Sequence, residues 1–163
     1  MNGYAHILVA ADLAADHERI LPRAKYLARA FGAKLTLVHV VDEREAGAEL
    51  QMPIEGELFE PGSPLPTGTG PLPGGIAYGG HRLERTAHAF LDDLARDLGV
   101  PDVATEVVAS SAIAPTVVSM AADRGIDLII VGGRGHRGLA WLFEGTTDAV
   151  VHRAPCDVLV VHE

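Results

Sequence analysis

Residues 127–147 read DLIIVGGRGHRGLAWLFEGTT, a short apolar run that empties into glycines and ends at a pair of hydroxyl residues. Few arrangements accommodate that order. Four apolar residues bounded by glycine suit a strand buried on both faces. A strand followed by glycines and then a helix is where α/β proteins hold phosphates, because backbone N–H groups, the helix dipole and hydroxyls converge there on an anion. Two residues separate Gly132 from Gly135, nine separate Gly135 from Gly145, and Thr146 and Thr147 follow directly. The spacing is neither G-x-G-x-x-G nor the P-loop G-x-x-x-x-G-K-[ST]. In a chain with 18 glycines, Gly132 and Gly133 alone would read as ordinary turn residues. Weight comes from the agreement of glycine spacing, strand context and terminal threonines.

The remaining chain alternates in the same way. An apolar run at residues 7–11 reads as a buried strand. Ile20, Leu21, Ala24, Leu27, Ala28 and Phe31 then recur at helical spacing, closed by Gly32. Pro22 requires that helix to begin near residues 18–21, so that its missing N–H falls in the first turn. A second strand, rich in β-branched residues, covers 34–41. Leu83, Ala87, Phe90 or Leu91, Leu94 and Leu98 mark another helix, ended by Gly99 and Pro101. Residues 103–109 alternate as a strand, and Pro115 suits the first turn of a helix that Gly125 ends. A strand at 128–131, a helix near 146–153 and a strand at 158–161 complete the series. Five strands alternating with helices imply a parallel, doubly wound α/β sheet in a single domain over residues 1–163.

Residues 43–80 break the rhythm. These 38 residues hold nine of the 18 glycines and six of the ten prolines, a composition unable to build a packed element. They read as a long loop inserted after the second strand. The loop is either a flexible linker or a lid bordering the ligand crevice, with Leu58, Phe59, Ile76 and Tyr78 as anchors. Six Glu against the single Arg44 in residues 43–60 supply much of the net charge of −9. That acidity argues against nucleic acid or an anionic membrane as partner. No apolar run approaches the roughly 20 residues needed to span a bilayer, and no secretory leader is apparent, so a cytoplasmic location is expected. Cys156 is the single cysteine and, beside Pro155 at the start of an apolar strand, reads as a buried inert thiol.

The G-x2-G-x9-G-[ST] pattern resembles the signature of the universal stress protein family in its ATP-binding branch. HILVAAD from His6, AKLTLVHVVD from Ala33 and APCDVLVVHE from Ala154 resemble that family's first, second and last strands. The resemblance implies the Rossmann-like fold of the adenine nucleotide alpha hydrolase type, strand order 3-2-1-4-5, in a single-domain rather than tandem member. It also implies a homodimer paired through the terminal strand, whose ends are Val158 and Val161. An open apolar sheet edge invites such pairing.

Candidate site residues follow. Val131, Gly132, Gly133, Gly135 and Gly145 would give an anion access to the backbone, and Thr146 and Thr147 would cap the helix and donate to phosphate. From the resemblance, Asp12 lies at the adenosine end of the pocket, flanked by contacts at Ala10 and Val40. Leu13 and Ala14 replace the usual Gly-Ser after that Asp, and Gly133 and Arg134 stand where a small hydroxyl residue and His are usual. Arg134 is either a phosphate clamp or a solvated surface residue. The implied ligand is ATP, or AMP or ADP, with Mg²⁺ arriving on the phosphates rather than in a protein cage.

Catalytic readings fare poorly. There is no G-x-S-x-G elbow, no P-loop lysine and no H-E-x-x-H pair, so the expected role is that of a nucleotide-responsive stress or regulatory protein with an unidentified protein partner. The alternatives are a dimeric, non-nucleotide interaction protein of the same family, and, more weakly, an adenylate-processing enzyme.

Overall fold

The computed structural model describes residues 3–11, 17–43, 78–133 and 141–162. Along the chain these form β1 (His6–Ala10), α1 (His17–Phe31), β2 (Lys34–Val41), α2 (Tyr78–Leu98), β3 (Val103–Ala109), α3 (Ile113–Asp123), β4 (Leu128–Gly133), α4 (Trp141–Arg153) and β5 (Asp157–His162). The strands make one sheet in the order β3-β2-β1-β4-β5, every neighbouring pair parallel. This is the doubly wound α/β topology expected from the alternation.

The central strands β1 and β4 are almost continuously apolar because helices cover both faces of the sheet. On one face, Ile7, Val9, Leu35, Leu37, Leu128 and Ile130 pack against Ile20, Leu21, Ala24 and Ala28 of α1 and Leu91, Leu94 and Leu98 of α2. On the other, Leu8, Val38, Ile129 and Val131 meet Ala114, Val117, Met120 and Ala121 of α3 and Val150 of α4. Each fully buried Leu, Ile or Val contributes on the order of 1.5–3 kcal/mol. Thr36 is the buried polar residue among them, and its Oγ1 pairs with His6 Nε2 at 2.9 Å.

Helix ends follow the glycines. Gly32 and Gly125 adopt φ of +64° and +61°, where a Cβ would be strained. The residue after each glycine closes a six-residue turn, Ala33 N–H onto Ala28 O at 2.9 Å and Ile126 N–H onto Ala121 O at 3.0 Å. Pro115 falls in the first turn of α3 as expected.

Four details differ from expectation. Helix α1 starts at His17, which puts Pro22 in its second turn; the buried Ile20–Leu21–Ala24 face outweighs one missing backbone bond. Helix α2 starts at Tyr78, so the last three residues of the expected 43–80 loop are helical, while residues 44–77 lie outside the described residues. Gly132 and Gly133 are not turn residues but the end of β4, in register with Val161 and His162. Helix α4 begins at Trp141, five residues ahead of Thr146.

At the N-terminal edge of the sheet one carboxylate ties the central strands together. Asp127 Oδ2 accepts the N–H groups of Ala5 at 2.7 Å and His6 at 2.9 Å, while its own N–H donates to His6 O at 2.9 Å. The two backbone donors, Ala5 first and then His6, hold the Asp127 carboxyl below the usual carboxylate range. A lowered folded-state pKa gives stability that is present above the unfolded value and lost as pH falls through the folded one. Asp127→Asn should therefore melt a few degrees below the unmutated protein at neutral pH, and thermal scans on acidification should show the two curves converging.

Gly133 is required by packing. A Cβ there would lie 2.7 Å from both Val160 Cγ1 and His162 Nδ1. His162 can swing away, but the Val160 methyl is short-tethered on the strand paired with β4. Gly133→Ala should cost about 1–3 kcal/mol of stability, read as a lower urea midpoint with unchanged slope.

Candidate functional site

The strand order reverses at β1, where β2 lies on one side and β4 on the other. Chain connections leave such a point toward opposite faces, which opens a crevice at the C-terminal ends of the strands. The register locates its floor. Between β1 and β4 it runs from Ile7–Leu128 to Val9–Ile130 and stops. Strand β1 goes on with β2, pairing Ala10 with Val38 and sending Ala11 N–H to Val38 O at 2.8 Å. Strand β4 goes on with β5 through Val131–Val160 and Gly132–Val161 to Gly133–His162. The central strands part there.

Ala10, Val40 and Val131 belong to the same face of the sheet, the one covered by α3 and α4. Ala10 and Val40 are half-buried and Val131 is buried. Of the residues singled out from the sequence, the structure thus places Ala10, Val131, Gly132 and Gly133 along the two central strands and Val40 on the adjacent β2. Asp12, Arg134 and Gly135 lie outside the described residues.

Helix α4 supplies the rest. Thr147 Oγ1 donates to the Gly132 carbonyl at 3.1 Å, fastening the helix to the end of β4. The expectation that Thr146 and Thr147 cap this helix is corrected by its start at Trp141, which places both threonines in the second turn. A carbonyl at the strand end is the acceptor Thr147 uses instead. Gly145 is exposed, and a Cβ there would meet no described atom within 4 Å. Neither crowding nor a positive φ calls for glycine at this helical position, although Gly disfavours a helix by about 1 kcal/mol relative to Ala.

Two polar groupings at this end of the sheet had escaped the sequence reading. His39 Nδ1 lies 2.8 Å from Ala11 O. Its signal was a ring nitrogen donor, His39, set among the apolar residues of the run from Leu35 to Val41. In the connection from β3 to α3, Ser110 Oγ accepts Ala112 N–H at 3.1 Å and shares a hydrogen bond with the Thr116 hydroxyl at 2.8 Å. Ser110 N–H reaches Val41 O at 3.0 Å, which binds the start of α3 to the end of β2. A serine before a Pro-containing first turn was the sign available.

Cys156 is half-buried at the opposite end of the sheet. Burial, reinforced by the Asp157 and Asp127 charges, raises its thiol pKa, so it stays protonated and weakly nucleophilic. Among the described residues no three His, Cys, Asp or Glu side chains group as a metal ligand set, and no helix is long and apolar enough to cross a membrane.

Comparison with known proteins accords with this geometry. Residues 3–162 match the model of the universal stress protein family. Universal stress protein A homolog 1 of Coxiella burnetii is 30% identical, over 97% of this chain and 96% of its own. The fold superposes on a universal stress protein solved in complex with cAMP, with a TM-score of 0.60 and 21% identity, covering 98% of each chain. It also superposes on the universal stress protein from Archaeoglobus fulgidus in complex with dAMP, with a TM-score of 0.60 and 17% identity, over 96% of this chain and 97% of that one. The strand order, the parted central strands and a family match over nearly the whole length converge: this chain belongs to the universal stress protein family.

Proposed function

We propose that the protein binds an adenine nucleotide, ATP by preference, in the crevice between β1 and β4, and serves as a nucleotide-responsive regulatory protein rather than an enzyme. The observation that carries this reading is Gly145. It weakens its own helix, no described neighbour or backbone angle calls for it, and two residues on Thr147 fastens that helix to Gly132. A ligand that needs close approach to the backbone supplies the missing reason. The related structures holding cAMP and dAMP support adenine as the base. The G-x2-G-x9-G-T spacing supports a polyphosphate.

In this reading Ala10, Val40 and Asp12 border the adenosine, and Gly132, Gly133, Gly135 and Gly145 open the backbone to the phosphates. Thr146 and Arg134 donate to them, while Thr147 keeps its hydroxyl proton on Gly132 O and holds the helix in place. Mg²⁺ would come bound to the phosphates. Occupancy acts on a partner surface by favouring one of two conformations. The cytoplasm, where ATP is abundant, is the proposed location.

Gly145 separates binding from folding. Gly145→Ala should raise stability by up to about 1 kcal/mol, while Gly145→Val should weaken ATP at least roughly tenfold in calorimetry. Mass spectrometry of nucleotide retained through purification identifies the natural ligand. No affinity for any adenine nucleotide at millimolar concentration in the unmutated protein would return the reading to a non-nucleotide interaction protein.

A homodimer through β5 completes the proposal. Strand β5 is an outer strand of the sheet, carrying Val158, Leu159, Val160 and Val161. Asp157 N–H faces β4, where it meets Asp127 O at 3.3 Å, so the alternation of a parallel ladder aims the N–H of Val158 outward. Val158→Pro removes that outward donor near the strand start, where proline is tolerated. Light scattering should then read a monomer for the variant and a dimer for the unmutated protein; a monomeric unmutated protein at high concentration refutes the pairing.

A further inference from the structure

Ala11 stands where β1 leaves the sheet, and it is held on both sides of its backbone. Its N–H donates to Val38 O at 2.8 Å, and its carbonyl faces His39 Nδ1, also at 2.8 Å. A carbonyl oxygen only accepts, so Nδ1 carries a proton and donates it. The β1–β2 register ends one residue earlier, at Ala10–Val38. Continuation of a parallel ladder would bring the next β2 amide onto the Ala11 oxygen. A side chain from β2 reaches it instead. The strand can therefore end without leaving the Ala11 carbonyl unpaired, and the ring that holds it is half-buried.

We infer that His39 is a positioning residue for the nucleotide crevice: by donating to Ala11 O it fixes the end of β1 at the edge where β1 and β4 part. The ligand half of this inference rests on the nucleotide reading above. The ring need not touch the nucleotide, because it acts through the backbone it holds. The donor's position, not the bulk or charge of the ring, is what matters. Asn carries its amide N–H close to where Nδ1 lies, Gln carries it one bond further out near Nε2, and Leu fills the space with no donor.

Three variants, His39→Asn, His39→Gln and His39→Leu, test this by ATP calorimetry, by amide exchange of ligand-free residues 7–17, and by thermal unfolding. The expected result is that His39→Leu and His39→Gln bind ATP about five- to tenfold more weakly, the loss of one hydrogen bond. Both should exchange faster over residues 7–17, while His39→Asn stays within roughly twofold of the unmutated affinity and exchanges at its rate. Unmutated affinity and exchange in His39→Leu overturn the inference. So does a loss of affinity that ranks with melting temperature across the three variants and ignores where the donor sits. If the unmutated protein binds no adenine nucleotide, the nucleotide reading falls and takes the ligand half of this inference with it. The exchange comparison then decides alone whether His39 holds the end of β1.

Discussion

Past Val9 and Ile130, β1 and β4 cease to share hydrogen bonds, and each stays with its outer neighbour. The cause lies in the winding. Helix α1 packs on one face of the sheet and α4 on the other, so β1 and β4 are followed by helices on opposite faces. The contacts at that end of the sheet answer to this parting. His39 accommodates a strand that stops early, Thr147 anchors a helix to the strand that runs on, and Gly133 lets that longer strand lie close to β5.

The other end of the sheet is built on the opposite plan. Asp127 gathers the amides of Ala5 and His6 onto one carboxylate oxygen and offers its own carbonyl to Asp157 N–H, so β1, β4 and β5 enter the sheet in fixed register. Tyr4 extends the cluster, its hydroxyl donating to Asp157 Oδ2 at 3.1 Å. Its ring meets Phe31 edge-on at 5.3 Å. One edge is thus pinned by polar contacts within the chain, and at the other the register between the two central strands ends at Val9 and Ile130.

The sheet was largely legible in the sequence because the central strands are apolar on both faces, β3 alternates, and the helices α1, α2 and α3 are followed by glycines with a local reason. The bounds of β2 and β3 agree with what their residues imply. Elements were misjudged where a longer-range contact overrides the local signal. Gly132 and Gly133 look like a turn until β5 pairs with them. Thr146 looks like a cap until the helix proves to begin at Trp141. Glycines 79 and 80 look like loop until the first turn of α2 absorbs them. At the site, spacing pointed to Val131, Gly132, Gly133 and Gly145, and the family resemblance to Ala10 and Val40. His39 and Ser110 were invisible because their roles exist only once Ala11 and Val41 have been brought beside them.

The close approach of β5 to Gly133 has a practical side. His162 is the last residue of β5, and its ring lies over Gly133, next in sequence to the stretch between β4 and α4. In a parallel sheet the N-terminal ends of all strands share the far edge, where Tyr4 and Ala5 sit. The two ends of the described chain are therefore unequal as attachment points. A purification handle or fluorescent fusion joined after residue 163 would follow directly on His162, whose ring packs on Gly133, and would load the strand that carries Val160. The same addition ahead of Gly3 would start against Phe31, at the closed edge, a sheet's length away from the parted strands.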